Sequence, residues 1–286
     1  MSSFTEKLIE LTITLGTGTF GEDVGDTVTL SGYRMLADVI NPGGDSMGMA
    51  NIRVFGLPET LMNRLTTIGT IQRAIRAQNT VTVAAGDDET GYQMAFFGVI
   101  TDAWGDYNAA PEVAFNIVAY AGMDIAVKPV NATSYKGAVS TAVIMRNFSL
   151  EAGLTYENNG VDVTLNNPYF SGTVLNKIRQ CAAAAGIFYN VDRGTLAIWP
   201  RAGQRGGEIP IISPTTGMVG YPTLSSKGID IQTTFNWNIR LGGRIKVESA
   251  IGMASGTWIV HGTAHSLSSK VPGGPWFTYI EAYGRE

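Results

Sequence analysis

From Leu224 to Glu286 the chain is written almost wholly in strand code. LSSKGIDIQTTFNWNIRLGGRIKVES is followed by GTWIVHGTAHSLSSKVPGGPWFTYIEAYGRE. β-Branched and aromatic residues alternate there with polar ones, and Gly and Pro punctuate the runs, which is the pattern of half-buried antiparallel strands. Strands are expected at about 209–213, 229–235, 243–249, 257–265 and 275–283. Nothing in this stretch looks like catalysis. RAGQRGGEIP, which follows Pro200, reads as a Gly-rich connection into it.

The beginning of the chain also reads as β-rich. Leu8, Leu11, Ile13 and Leu15 lie in one strand-like run, and Thr27-Val28-Thr29-Leu30 opens another. NPGGDSMGM from Asn41 is a loop, and residues 51–56 form a strand. Pro58 suits a first helical turn, where its missing N–H costs nothing. Leu61, Met62, Leu65 and Ile68 would share one face of that helix, and Gly69 would end it. Further strands are expected at about 79–85, 92–104 and 111–121, giving a barrel-like β module with one packed helix.

An internal repeat occupies the middle. Residues 137–165 read as helix, then Ala152-Gly153-Leu154-Thr155-Tyr156, a turn at Asn159-Gly160 and the strand VDVTL. Residues 171–198 read as a helix opened by Ser171, then AGIFY, a turn at Asp192-Arg193-Gly194 and TLAIW. Asn-Gly favours a hairpin because both residues accept positive φ. Val174, Ile178, Cys181 and Ala185 form a core-facing stripe. A third module follows, and its ending, PWFTYIEAYGR, echoes PEVAFNIVAYAG at 111–122. A second barrel related to the first is the expectation.

At 286 residues the chain has room for two or three compact modules. Its 15% of charged residues falls well below the roughly 25% of a typical soluble domain. Surface covered by other subunits is consistent with that shortage. A net charge of −4 speaks against a broad basic face for nucleic acid. The single cysteine, Cys181, excludes an internal disulfide and reads as a buried helical side chain. MSSFTEKLIE lacks the pattern of a secretory signal, and no run approaches the roughly 20 apolar residues needed to span a bilayer.

The candidate chemistry weighs little. Gly16-Thr17-Gly18-Thr19-Phe20-Gly21 matches GxGxxG, but Glu22, Asp23 and the strand TVTL follow where a helix N-terminus is required, so it reads as a hairpin loop. His261 and His265 have helical metal spacing, yet on a strand they stand about 13 Å apart and read as surface or interface residues. There is no GxSxG. Asp87-Asp88-Glu89 reads as a solvated hairpin tip without an EF-hand pattern. Trp104, Trp199, Trp237, Trp258 and Trp276 read as strand-packing residues rather than a sugar platform. No catalytic, cofactor-binding or metal residues, and no cofactors, are expected.

FNWNIRLGGRIKVES, with Phe235-Asn236 to Ile245 following aromatic-Asn-x-x-[IL]-R-x-GG-x-[IV], resembles hub proteins of contractile phage tail baseplates, as does GGPWFT at Gly273 to Thr278. Those hubs are related to the base of type VI secretion spike proteins. GLPETLMNRLTTIG (56–69), VITDAWGDYNAAPEVAFNI (99–117) and NPYFSGTVLNKIRQCAAAAGI (167–187) extend the likeness across all three modules. The resemblance implies a β-rich α+β fold with two tube-like β-barrel modules, 1–123 and 201–286, around a 124–200 insert of two helix–hairpin units. It also implies a homotrimer forming a pseudo-hexameric ring between the tail tube protein and the central spike protein. Other baseplate and tape-measure proteins would be partners, DNA would pass only in transit, and no membrane insertion is implied. The chain would be made in the host cytoplasm and act in the virion, with the spike a separate protein because the sequence stops at Glu286. Alternatives are another tail subunit, distal or tube-initiating, and a tail-associated cell-wall hydrolase.

Overall fold

The computed structural model describes residues 5–20, 25–66, 79–87, 89, 91–108 and 110–284. Strands β1 (Leu8–Thr14), β2 (Thr27–Leu30), β3 (Arg34–Asn41) and β4 (Met49–Phe55) come first. Helix α1 (Glu59–Leu65) separates them from β5 (Thr80–Asp87), β6 (Gly91–Asp106) and β7 (Ala114–Tyr120). The middle opens with α2 (Met123–Val127), β8 (Pro129–Ser134), β9 (Ala138–Ser140), α3 (Thr141–Glu151) and β10 (Thr155–Asn158). It continues through β11 (Thr164–Asn166), β12 (Tyr169–Thr173), α4 (Val174–Ala185), β13 (Ile187–Asp192) and β14 (Thr195–Pro200). Last come β15 (Ile211–Ile212), β16 (Met218–Ser225), β17 (Gly228–Thr234), β18 (Arg244–Val247), β19 (Gly256–Ser269) and β20 (Trp276–Tyr283). The fold is therefore β-rich α+β.

Alternation decides which faces are buried. In β1, Ile9, Leu11 and Ile13 are buried while Thr12 and Thr14 face outward and pair with Thr29 and Thr27. Each such large apolar side chain contributes about 1.5–3 kcal/mol on burial. α1 is shorter than its pattern implied: Thr66 is extended and closes the helix by donating from its N–H and hydroxyl to Met62 O. Met62 and Leu65 are buried as expected, whereas Ile68 and Gly69 lie outside the described residues.

One sheet of 13 strands runs through both ends of the chain, in the order β16-β17-β20-β19-β3-β4-β7-β6-β5-β1-β2, with β18 and β15 branching from β19. It contains one six-strand order twice. β3-β4-β7-β6-β5-β1 recurs as β16-β17-β20-β19-β18-β15, the same sequence of first-to-sixth strands in both halves. The first four pairings in that order are antiparallel in each half; the last is antiparallel for β5–β1 and parallel for β18–β15. The halves meet where the second part of β19 pairs with β3, from Thr263↔Asn41 to Ser269↔Met35. The sheet also curls, so that β1 comes back alongside β19. Each half has its own apolar core, the first including Leu11, Met35, Ile52, Val83 and Ile117, the second Ile231, Ile245, Val260 and Ile280.

The middle departs from the expected pair of helix–hairpin units. β13 and β14 form the second hairpin, from Ile187↔Pro200 to Asp192↔Thr195. The first hairpin does not form: β10 lies parallel beside β14, and β11 pairs with β9. Asn158 explains the difference. Its side chain accepts from Val161 N and donates to Val161 O, making a local turn, while Asn159 N is claimed by Ile198 O. α4 opens at Thr173, whose hydroxyl accepts from Asn176 N, and not at Ser171. Phe148, Ile178, Cys181 and Leu196 belong to the core of this middle part.

Candidate functional site

The feature that the two halves share most closely is the pairing of a long bulged strand with the strand that follows it. In β6 and β7, Val99↔Tyr120 and Ile100↔Ala119 are followed by Asp102↔Val118, so Thr101 is the extra residue. In β19 and β20, Ile259↔Tyr283 and Val260↔Ala282 are followed by Gly262↔Glu281, so His261 is the extra residue. A bulge reverses which face the following side chains take. Ile100 and Ala103 are accordingly both buried, and so are Val260 and Thr263. The neighbouring pairs keep the match, Ala50↔Ala119 against Ile229↔Ala282. The echo between PEVAFNIVAYAG and PWFTYIEAYGR is thus a correspondence of register as well as of residues.

The inward residues of the closing strands are Phe115, Ile117 and Ala119 in β7, and Thr278, Ile280 and Ala282 in β20. Their outward faces differ: Asn116, Val118 and Tyr120 stand opposite in role to Tyr279, Glu281 and Tyr283. One chain therefore presents two surfaces of like architecture and unlike chemistry. Beside the second lies a groove of about 470 Å³ lined by Asn41, Val219, Tyr221, Gln232, Tyr279 and Glu281. Tyr221 is 70% exposed on its rim, and Leu224, on the same strand, is 45% exposed. Apolar side chains this open, beside a groove whose lining is itself mostly apolar, suit a contact surface better than a reaction site.

Gly16 to Phe20 lie in the connection between β1 and β2, closed by Leu15 N to Asp26 O and Phe20 N to Gly25 O; Gly21, Glu22 and Asp23 lie outside the described residues. His261 and His265 are both on β19, but in opposite environments. His261 is exposed at the bulge, while His265 is buried within the chain's own fold, which corrects its reading as a surface or interface residue. The bulge is the reason, because it turns the odd-numbered positions after Gly262 inward. Burial, with a contribution from the Arg193 charge, lowers the His265 pKa to about 4. Asp87 is buried and paired with Lys7, so it is no solvated tip; Asp88 lies outside the described residues and Glu89 N donates to Asp87.

Among the tryptophans, Trp199 and Trp258 are buried, Trp104 is 44% exposed, and Trp237 lies in the loop between β17 and β18 rather than on a strand. They form no common platform: Trp276 packs on Phe235 and Trp258 donates to Ala254 O. Cys181 is fully buried in α4, and burial raises its pKa to about 12. Among the described residues no three His, Cys, Asp or Glu side chains gather in a metal-holding geometry. No helix among the described residues is long and apolar enough to cross a membrane. One cluster escaped the sequence altogether: Arg193, Arg205 and Arg240, far apart in the chain, line one cavity.

The comparisons with known proteins agree with this picture of the fold. A family model described as baseplate hub gp41 matches residues 8–279. No curated protein matches the sequence. A tail protein from Neisseria meningitidis is similar in structure, with a TM-score of 0.60 at 8% identity over 96% of each chain. The 43 kDa tail protein of prophage MuSo2 from Shewanella oneidensis gives 0.59 at 10% identity, over 97% of this chain and 96% of that one. An E. coli protein described as a component of the type VI secretion system, similar to the T4 tail proteins gp27 and gp5, gives 0.57 at 10% identity. It is covered over 74% of its length by 88% of this chain.

Proposed function

The chain belongs to the baseplate hub gp41 family of phage tail structural proteins, and we propose that its homotrimer forms a pseudo-hexameric ring joining the six-fold tail tube to a three-fold central spike. The observation that carries this reading is the six-strand order found twice in one chain, with the bulges Thr101 and His261 at the same register. Three copies of such a chain present six modules of like architecture around a three-fold axis. One side of the ring then meets a six-fold partner with repeated contacts, while the unlike outward residues of the two modules let the other side keep three-fold symmetry. The low charge content and the exposed Tyr221, Leu224 and Tyr279 are consistent with large subunit contacts.

The ring would also line the channel through which DNA and tape-measure protein leave the tail. A net charge of −4 favours passage over adhesion, because tight DNA binding depends on cations neutralising phosphates. The reading assigns the chain no enzymatic step. Its partners would be tube protein, spike protein and neighbouring baseplate proteins, and its place the virion tail.

Two measurements test this. Native mass spectrometry of purified protein, alone and with the spike protein, is expected to give three copies per ring; a six-copy ring would move the assignment to a tube-initiating or distal tail subunit. Deleting the gene should leave phage without infectious tails. Normal tails from the deletion would end the hub reading.

A further inference from the structure

The turn between β13 and β14, the β5–β6 hairpin and the loop between β17 and β18 converge on a cavity of about 210 Å³, lined by Gln93, Asp192, Arg193, Arg205, Trp237 and Arg240. Three guanidinium groups share it with one carboxylate, Asp192, and a second, Glu157, stands behind Arg205. Both carboxylates are engaged. Asp192 Oδ2 accepts from Arg193 Nε at 2.9 Å. Glu157 accepts from Arg205 Nε at 2.8 Å and from Nη2 at 2.6 Å.

The arginines are held in place by the fold. Arg193 occupies a left-handed turn position with φ 48°, and its Nη1 donates to Trp237 O and Met94 O, so it ties the three segments together. Arg205 is only 3% exposed, yet its Nη1 is buried with no hydrogen-bond partner. A donor left so has lost its water without a replacement partner. The Arg240 guanidinium lies 5.7 Å from the centre of the Trp237 ring, and among the described residues that side chain makes neither hydrogen bond nor ion pair, its backbone O alone accepting from Gly243 N. Burial and the charges of Arg193 and Arg205 lower the Arg240 pKa, against the weaker opposing pull of Asp192 and Glu157. The cations therefore repel one another in a half-enclosed space.

We propose that this cavity binds a small oxyanion, a free phosphate or the carboxylate of a neighbouring protein's acidic side chain, through Arg240 and Arg193, with the Arg205 guanidinium in its wall adding positive charge. Guanidinium forks match such anions in shape as well as in charge. The bound anion would bridge parts of the chain separated by more than a hundred residues, from Gln93 to Arg240, and so stabilise their junction. The site stands independently of the hub reading, since nothing in it depends on subunit number or partner.

Thermal unfolding of the full-length protein at pH 7 tests it, titrated with sodium phosphate and separately with sodium glutarate, against sodium chloride of equal ionic strength. The expected result is a saturable rise of a few degrees with one anion or both. Phosphate alone would name a free anion as the ligand, and glutarate alone a carboxylate. In Arg240→Gln, which removes no hydrogen bond from the fold, the apparent affinity should fall about tenfold or more. A rise that does not saturate, no rise with either anion, or an equal rise in R240Q overturns the site. Should R240Q fail to fold, isothermal titration of the wild-type chain decides, and the absence of saturable heat with both anions overturns it equally.

Discussion

His265 sits in β19 with its ring edge-on to Phe235, 5.3 Å between centroids, and its Nδ1 2.9 Å from Thr278 Oγ1. Burial holds its pKa near 4, below the ordinary 6.5. The unfolded chain takes up a proton as pH falls through about 6.5, and the folded chain resists until about 4. Its contribution is therefore complete above the first value and lost across that window. In urea unfolding, the stability difference between wild type and His265→Gln should shrink by roughly 2–3 kcal/mol between pH 7.5 and 4.5. A difference independent of pH would show that the ring protonates in place without penalty. Cys181 is a second buried group, with its thiol pushed up to about 12. Since the thiolate is the reactive form, disulfide exchange at pH 8 should run about a hundredfold slower in the native protein than in the urea-unfolded chain. Equal rates would place Cys181 at a surface. The two residues differ in how far the sequence disclosed them. The helical stripe Val174, Ile178, Cys181 announces a buried thiol, whereas the inward turn of His265 depends on a bulge four residues earlier that leaves no compositional mark.

At the scale of elements, alternation and turn residues located the long strands well. They failed where a local signal competes with a distant partner. β16 is not among the expected strands; it contains Gly220 and Pro222, and it forms at the sheet edge, where its register slips between Val219 and Thr223. Asn159-Gly160 carries a hairpin signal, but β14 offers β10 a parallel partner in the core of the middle part. Lys177, fully buried on α4, was equally hidden, because Glu151 on α3 and Thr133 on β8 receive its ammonium group. The loop between β17 and β18 is fixed by packing too. Gly242 has φ +77°, and a Cβ there would lie 2.5 Å from Trp199 Cζ2. Gly242→Ala should therefore cost roughly 2–4 kcal/mol, read from the urea midpoint at an unchanged slope. A loss under about 1 kcal/mol would mean that the indole moves aside and the loop relaxes.

For the whole molecule, what matters is that the two like halves are not independent beads. The seam runs through β19, whose first part pairs with β18 and whose second part pairs with β3. Leu267, far down the chain, is buried in the first core, and Phe235 and Trp276 pack against it. This joining was beyond the sequence, where the echo of two strand endings gives the likeness of the halves but not which strand edges meet. It has a consequence for a fragment of residues 1–123. That piece would carry β3 as an open edge, with seven residues, Met35 to Asn41, stripped of their partners, and a core lacking Leu267. Open edges of that length pair with other chains. The fragment should therefore be aggregated or without a cooperative unfolding transition, and co-expression with residues 124–286 should restore a soluble one-to-one complex. Size-exclusion chromatography and amide dispersion in NMR spectra read both outcomes. A monomeric 1–123 as stable as the intact chain would mean that β19 merely touches β3. The rigid relation between the halves, on which a six-fold imitation by three chains depends, would then have to come from contacts between subunits.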